Sequence, residues 1–264
     1  MMDITSLQNP RVKHIVKLRE DKRQRQKDGA MLVEGFDEIA LALAAGHNPQ
    51  TVLTSPELAS GQSAFPSAET RRVEPVETLT VSRAVFEKMS YRDNPDGWLA
   101  IFPIPKVSLD SAGLLDSLVI VAESIEKPGN LGAILRTADA ARVDAVLVCD
   151  PRVDAWNPNV VRASRGAVFS VPVVECDNAS ALEWSRARGI RILAATPSAD
   201  ALYSDVDMRE PTAIAVGAED EGLTDFWLSN ADVKVKIPML GRVNSLNVSV
   251  STALIVYEAL RQRK

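Results

Sequence analysis

The chain has 264 residues, of which 46% are apolar and 25% charged, and its formal net charge is −5. At roughly 100–200 residues per domain this is one large domain or two small ones, with enough chain for a full core; collagen-like, coiled-coil and wholly disordered readings are excluded. Two cysteines (Cys149, Cys176) and two histidines (His14, His47) are too few for a disulfide framework or a Cys/His zinc site, so no metal is expected.

The opening MMDITSLQNPRVKH lacks the apolar run of a signal peptide, and no stretch of about 18 apolar residues occurs further on. A soluble, cytoplasmic protein with reduced thiols and no membrane contact is expected. Residues 10–27 carry eight Lys/Arg against Glu20 and Asp21. A basic segment on an acidic chain fits a polyanion partner, although a solvated helix face explains the charge equally well. The pattern predicts helices over 11–27 and 36–45 and short strands at MLVEG and TVLT, a small α/β module. The Ser/Pro/Thr-rich stretch 54–78 reads as a loop, and the prolines of 103–113 mark a second break. The domains are therefore drawn as 1–106 and 107–264, with the acid excess in the second.

The second part alternates in type. Strands are predicted at 118–124, 145–149, 190–196, 212–218 and 233–239, and helices at 131–141, 181–189 and from Asn247 onward. Leu131, Ile134, Leu135 and Ala138 form one helix face; Val250, Leu254 and Tyr257 form another. Such a rhythm implies a parallel sheet covered by helices, whose ligands bind where strands end. Three strand-end loops stand out. In EKPGNLGAILRTADA, Pro128-Gly129 reads as a turn and Asn130 as an N-cap; Arg136 lies about 140° from Leu131, off the apolar stripe. In VGAEDEGLTDFW, Gly217 and Gly222 allow close backbone approach, while Glu219, Asp220 and Glu221 repel a phosphate. In IPMLGRVNSLNVSV, Ser245 or Asn247 caps the last helix, which by itself accounts for both. No G-x-G-x-x-G, P-loop or H-E-x-x-H motif appears.

Together these loops resemble the SpoU (TrmH) family of RNA ribose 2′-O-methyltransferases. The first is similar to N-L-G-x-x-x-R (Asn130 to Arg136), the second to V-G-x-E-x-x-G-L (Val216 to Leu223), the third to I-P-M-x-G-x-x-x-S-L-N-V-S-V (Ile237 to Val250). Residues 157–172 resemble the family's segment between the first two, and the likeness covers roughly 118–262. Ser251 stands where the family usually has Ala. More loosely, the N-terminal part resembles the RNA-binding domain that precedes the catalytic one in many members. The resemblance implies a SPOUT-type α/β fold with a C-terminal trefoil knot, a homodimer that completes the active site, and S-adenosyl-L-methionine (AdoMet) as cofactor. It implies catalytic roles for Arg136, Asn130, Glu219, Ser245 and Asn247, and cofactor contacts from Gly217, Ile237, Leu246, Met239, Glu219 and Gly222. With the basic segment, it implies RNA contacts from Arg11, Lys13, Lys17, Arg23 and Arg25. The expected substrate is rRNA, with tRNA as the alternative and a non-catalytic RNA-binding protein as the competing class.

Overall fold

The computed structural model describes residues 2–59, 76–111 and 117–264. Most of the expected 54–78 loop (residues 60–75) and part of the 103–113 break lie outside them. The chain packs as two units, residues 1–106 with 156–170, and 107–155 with 171–264.

In the first unit, α1 (Pro10–Glu20) and α2 (Lys22–Asp28) replace the single expected helix. The break falls at Asp21, whose backbone is extended and whose carboxylate accepts the Arg23 N–H at 2.8 Å. An aspartate able to cap a second helix outcompetes continuation of the first. The strands β1 (Ala30–Glu34), β2 (Thr51–Thr54), β3 (Glu77–Thr80) and β4 (Trp98–Pro103) pair in the order β1-β4-β2-β3. The last residues of the expected 54–78 loop are thus strand. One sheet face packs Leu32, Leu53, Leu99 and Ile101 against Val12, Ile15 and Leu18 of α1 and Val85, Phe86 and Met89 of α4 (Arg83–Met89). The alternate residues Met31, Val33, Val52, Ala100 and Phe102 are also buried. Helix α3 (Phe36–Ala44) and the excursion 156–170, which carries α6 (Pro158–Ser164), pack with that side, and the Phe102 and Phe169 ring centroids lie 5.7 Å apart. A two-faced sheet needs two covers, so a single cut at residue 106 does not describe the packing.

Arg25 is 2% exposed, not presented to a partner. Its guanidinium donates to the carbonyls of Leu18 (2.6 Å) and Arg19 (3.1 Å), which the end of α1 leaves open. This corrects its assignment as an RNA contact. Arg25→Ala is expected to destabilise the protein by about 1–3 kcal/mol in urea unfolding, because buried carbonyls lose their donor. Arg23→Ala, on the exposed side, is expected to stay within about 0.5 kcal/mol.

Among the described residues of the second unit, seven strands form a sheet in the order β7-β6-β5-β10-β8-β11-β9. They are β5 (Leu118–Glu123), β6 (Ala145–Cys149), β7 (Val173–Cys176), β8 (Arg191–Ala195), β9 (Ala201–Leu202), β10 (Thr212–Val216) and β11 (Val233–Lys236), and every pairing is parallel. The central strands are fully buried and mostly Val, Ile, Leu and Ala, as helix cover on both faces demands. Val119, Val121, Leu147, Ile192 and Ala213 pack with Trp184 of α7 (Asn178–Ala187) and Trp227 of α8 (Asp225–Asn230). On the opposite face lie α5 (Pro128–Ala140) and α9 (Val248–Gln262), which contact each other and the sheet. The connection leaves β5 toward β6 and β7, then crosses to β8 and returns with β10 beside β5. This reversal opens a crevice at the strands' carboxyl ends, where all three expected loops emerge.

Candidate active site

Asn130 is not the cap of α5. Lys127 holds that position, and Pro128 is the first helical residue, its fixed φ and missing N–H suiting it to N1. Pro128-Gly129 is therefore helix rather than turn, and Asn130 stands within the first turn with its amide free to reach outward. It donates to Glu219 Oε1 in the loop after β10. Asn247 Nδ2 donates to the same oxygen at 2.7 Å and approaches Asn130 Oδ1 at 3.1 Å. Asn247 also caps α9, its Oδ1 accepting from the Ser249 N–H (3.0 Å) and hydroxyl (2.6 Å). Capping and site assembly are thus two ends of one side chain. Three loops far apart in sequence meet on one carboxylate.

Lys127 completes the cluster through an ion pair with Glu219 Oε2. The Lys127 hydrogen bond, then that from Asn130, holds the Glu219 carboxyl below the usual carboxylate range. Lys127 was not singled out from sequence. The signal was its place immediately before Pro128, where a helix begins at a strand end.

Beside the cluster lies a cavity of about 360 Å³. Gly217, Glu219, Gly222, Ile237, Met239 and Leu246 all line it. So do Ala195, the last residue of β8, and Thr196 and Pro197 after it, which sequence reading passed over although they too sit at a strand's carboxyl end. Gly217 fixes the shape of the wall. A Cβ there would lie 2.1 Å from the backbone carbon and oxygen of Gly222, and the Gly222 N–H bonds the Ala218 carbonyl at 2.9 Å. Gly222 itself has φ +73°, a conformation that suits glycine. Ser245 lines the cavity but makes no hydrogen bond to the Asn130–Glu219–Asn247 cluster.

Arg136 does not join that cluster within one chain. It is exposed two helical turns along α5, in a separate groove of about 500 Å³ with Ser249, Val250, Leu254 and Tyr257 of α9. The α9 face bearing Val250 (47% exposed), Leu254 (39%) and Tyr257 (49%) is open, and the sheet is met instead by a face that includes Ile255, Val256 and Ala259. Of the basic residues on α1 and α2, Lys13, Lys17 and Arg23 are not buried, and Arg11 is exposed and paired with Glu77.

Residues 117–257 match the SpoU rRNA Methylase family, and residues 9–100 match the MRM3-like substrate binding domain. Over 258 residues the chain is 30% identical to the 23S rRNA (guanosine(2553)-2′-O)-methyltransferase of Bacillus subtilis, covering 97% of this chain and 98% of that one. The crystal structure of an RNA 2′-O ribose methyltransferase superposes with a TM-score of 0.82 at 43% identity, over 98% of both chains. The SpoU methyltransferase AviRb from Streptomyces viridochromogenes, in complex with AdoMet, gives a TM-score of 0.86 at 29% identity, over 97% of this chain and 99% of that one.

Proposed function

The chain belongs to the SpoU rRNA methylase family, and from that premise we propose that it transfers a methyl group from AdoMet to a ribose 2′-hydroxyl of ribosomal RNA. The observation that carries this reading is the Asn130–Glu219–Asn247 cluster assembled beside a loop-lined cavity. Ribosomal RNA is favoured because the Bacillus relative, which methylates 23S rRNA, matches both parts of the chain.

The cavity suits the cofactor. Its volume lies within the roughly 300–1,000 Å³ of small-molecule sites, with backbone at Gly217 and Gly222 and apolar Leu223, Val235 and Ile255. Its acidic rim, Glu219, Asp220 and Glu221, opposes a phosphate and favours a ligand carrying net positive charge. Bound there, AdoMet supplies a methyl already activated on a sulfonium, so what remains for the chain is to hold the hydroxyl in line. Glu219, with its oxygens occupied and its acidity raised, is a poor base; its role is to orient the two asparagine amides. Arg136, through the planar fork of its guanidinium, acts on RNA phosphate and on developing alkoxide.

Gly217→Ala is expected to abolish detectable AdoMet binding in calorimetry, because the new Cβ overlaps the Gly222 backbone; Gly129→Ala, with nothing within 4 Å, serves as the control. A homodimer joined through the open face of α9 is part of the proposal. So is a trefoil knot over the C-terminal segment. Its support is the path from β11, beyond β8, back across to α5 along α9. A cytoplasmic location fits Cys149 and Cys176, unpaired thiols 3.9 Å apart.

Incubation with labelled AdoMet and separate pools of unmodified rRNA and tRNA, followed by digestion to nucleosides, tests the reading. A 2′-O-methyl product from rRNA supports it, and one from tRNA alone transfers the same chemistry to the other substrate. RNA binding with neither product nor cofactor binding would leave a non-catalytic RNA-binding protein.

A further inference from the structure

The loops that leave β5 and β6 turn out of the sheet on residues in a conformation that side chains rarely adopt: Ser124 has φ +52° and Asp150 φ +45°. Such backbone persists where its surroundings hold it. Here they do. The Ser124 N–H donates to the Cys149 carbonyl (2.9 Å) and the Asp150 N–H to the Cys176 carbonyl (3.1 Å). The Val153 N–H donates to the Ile125 carbonyl (3.3 Å), and the Asp150 carboxylate accepts from Asn178 Nδ2. The two loops form one bonded platform.

Arg152 stands on that platform. Its Nη1 pairs with Glu126, on the same platform, and its Nη2 lies 2.8 Å from Glu221 Oε2, in the wall of the cavity. The wall is already fixed at two other points. Glu219 binds Lys127, Asn130 and Asn247, while Thr224 donates its N–H (2.8 Å) and hydroxyl (2.7 Å) to the buried Glu123. Between those anchors, the Glu221 side chain is held by Arg152.

We infer that Arg152 is a positioning residue for the cofactor cavity: by gripping Glu126 and Glu221 together it fastens the 217–223 wall to the platform of the β5 and β6 loops, and so sets the affinity for AdoMet. This rests on the reading of the cavity as the AdoMet site. Charge alone predicts the opposite sign. A cation beside the site repels a cationic ligand, so removing it for electrostatic reasons would tighten binding.

AdoMet affinity measured by calorimetry, without RNA, separates the two. Arg152→Ala is expected to weaken binding about threefold to fivefold, the size a networked surface ion pair supports. Turnover at saturating AdoMet and thermal unfolding of the cofactor-free protein are expected to stay at wild-type values. Arg152→Lys, a point charge that serves one carboxylate at a time, is expected to recover part of the loss. In a Glu221→Gln background, Arg152→Ala is expected to add nothing further. Unchanged or tighter binding by Arg152→Ala, with the wild type binding normally, would overturn this inference alone. A wild-type protein that binds no AdoMet would overturn the functional reading and this inference with it.

Discussion

Arg136→Ala is expected to cut methyl transfer by about a thousandfold or more while leaving AdoMet affinity unchanged. The separation has a geometric cause. Arg136 lines the groove between α5 and α9, whereas the cavity is walled by the loops after β8, β10 and β11 and by Val248, Ser251 and Ile255 of α9, and no side chain of α5 is among its lining residues. An interaction realised mainly as charge develops on the 2′-oxygen lowers kcat when it is lost and spares ground-state cofactor binding. Arg136→Lys is expected to recover only a small part. Lysine keeps the charge but not the planar fork that grips a phosphate in two places. Calorimetry with AdoMet beside single-turnover assays on RNA makes the measurement. A parallel fall in cofactor affinity would remove Arg136 from the chemistry and make it a structural support of the cavity.

Much of this site was legible because parallel sheets place their ligands at strand ends. The strands announce themselves as unbroken apolar runs, LVIVA (118–122) and AIAV (213–216) among them. The loops at their carboxyl ends are conspicuous for Gly, Asn and Ser where a helix would start. The composition of a loop, however, does not say which of its polar groups the backbone will use. Asn130 and Lys127 both stand near the start of α5, and the choice between them is made by Pro128, which takes the N1 position and pushes the helix start ahead of the asparagine. Arg25 shows the same limit for charge. Its place in a basic run says cation, but Asp21 breaks the helix, and the break creates open carbonyls that only a buried donor satisfies. Residues 156–170 were hidden for a different reason. Which sheet face an excursion covers is a long-range packing choice, and local periodicity carries no information on it. The stripe Val250, Leu254, Tyr257 was visible as a stripe, yet periodicity gives an apolar face without naming its partner.

That stripe supports the second prediction. Leu254→Asp is expected to dissociate the proposed dimer and abolish turnover, with AdoMet binding retained. Three large apolar side chains on successive turns of α9, each 39–49% exposed, meet water at a free-energy cost in a lone chain. A second copy stacked on them would bury them and bring its own Arg136 groove against this one, the self-matching arrangement of a two-fold interface. An unpaired carboxylate at the centre of such an interface is left buried without a partner, at a cost of about 3–5 kcal/mol, or roughly a hundredfold to several thousandfold in dissociation constant. Folding is expected to be spared, because the core of the unit uses the other face of α9, including Ile255, Val256 and Ala259. Cofactor binding is expected to survive, because the cavity is walled within one chain. Turnover is not, because Arg136 and the Asn130–Glu219–Asn247 cluster lie apart on that chain, and the proposed second copy is what brings an arginine to the cluster. Sedimentation of the wild type and Leu254→Asp, with circular dichroism, calorimetry and methylation assays on the same samples, resolves each step. A monomeric wild type with full activity would remove the dimer from the mechanism and require Arg136 to reach the cluster by movement within its own chain.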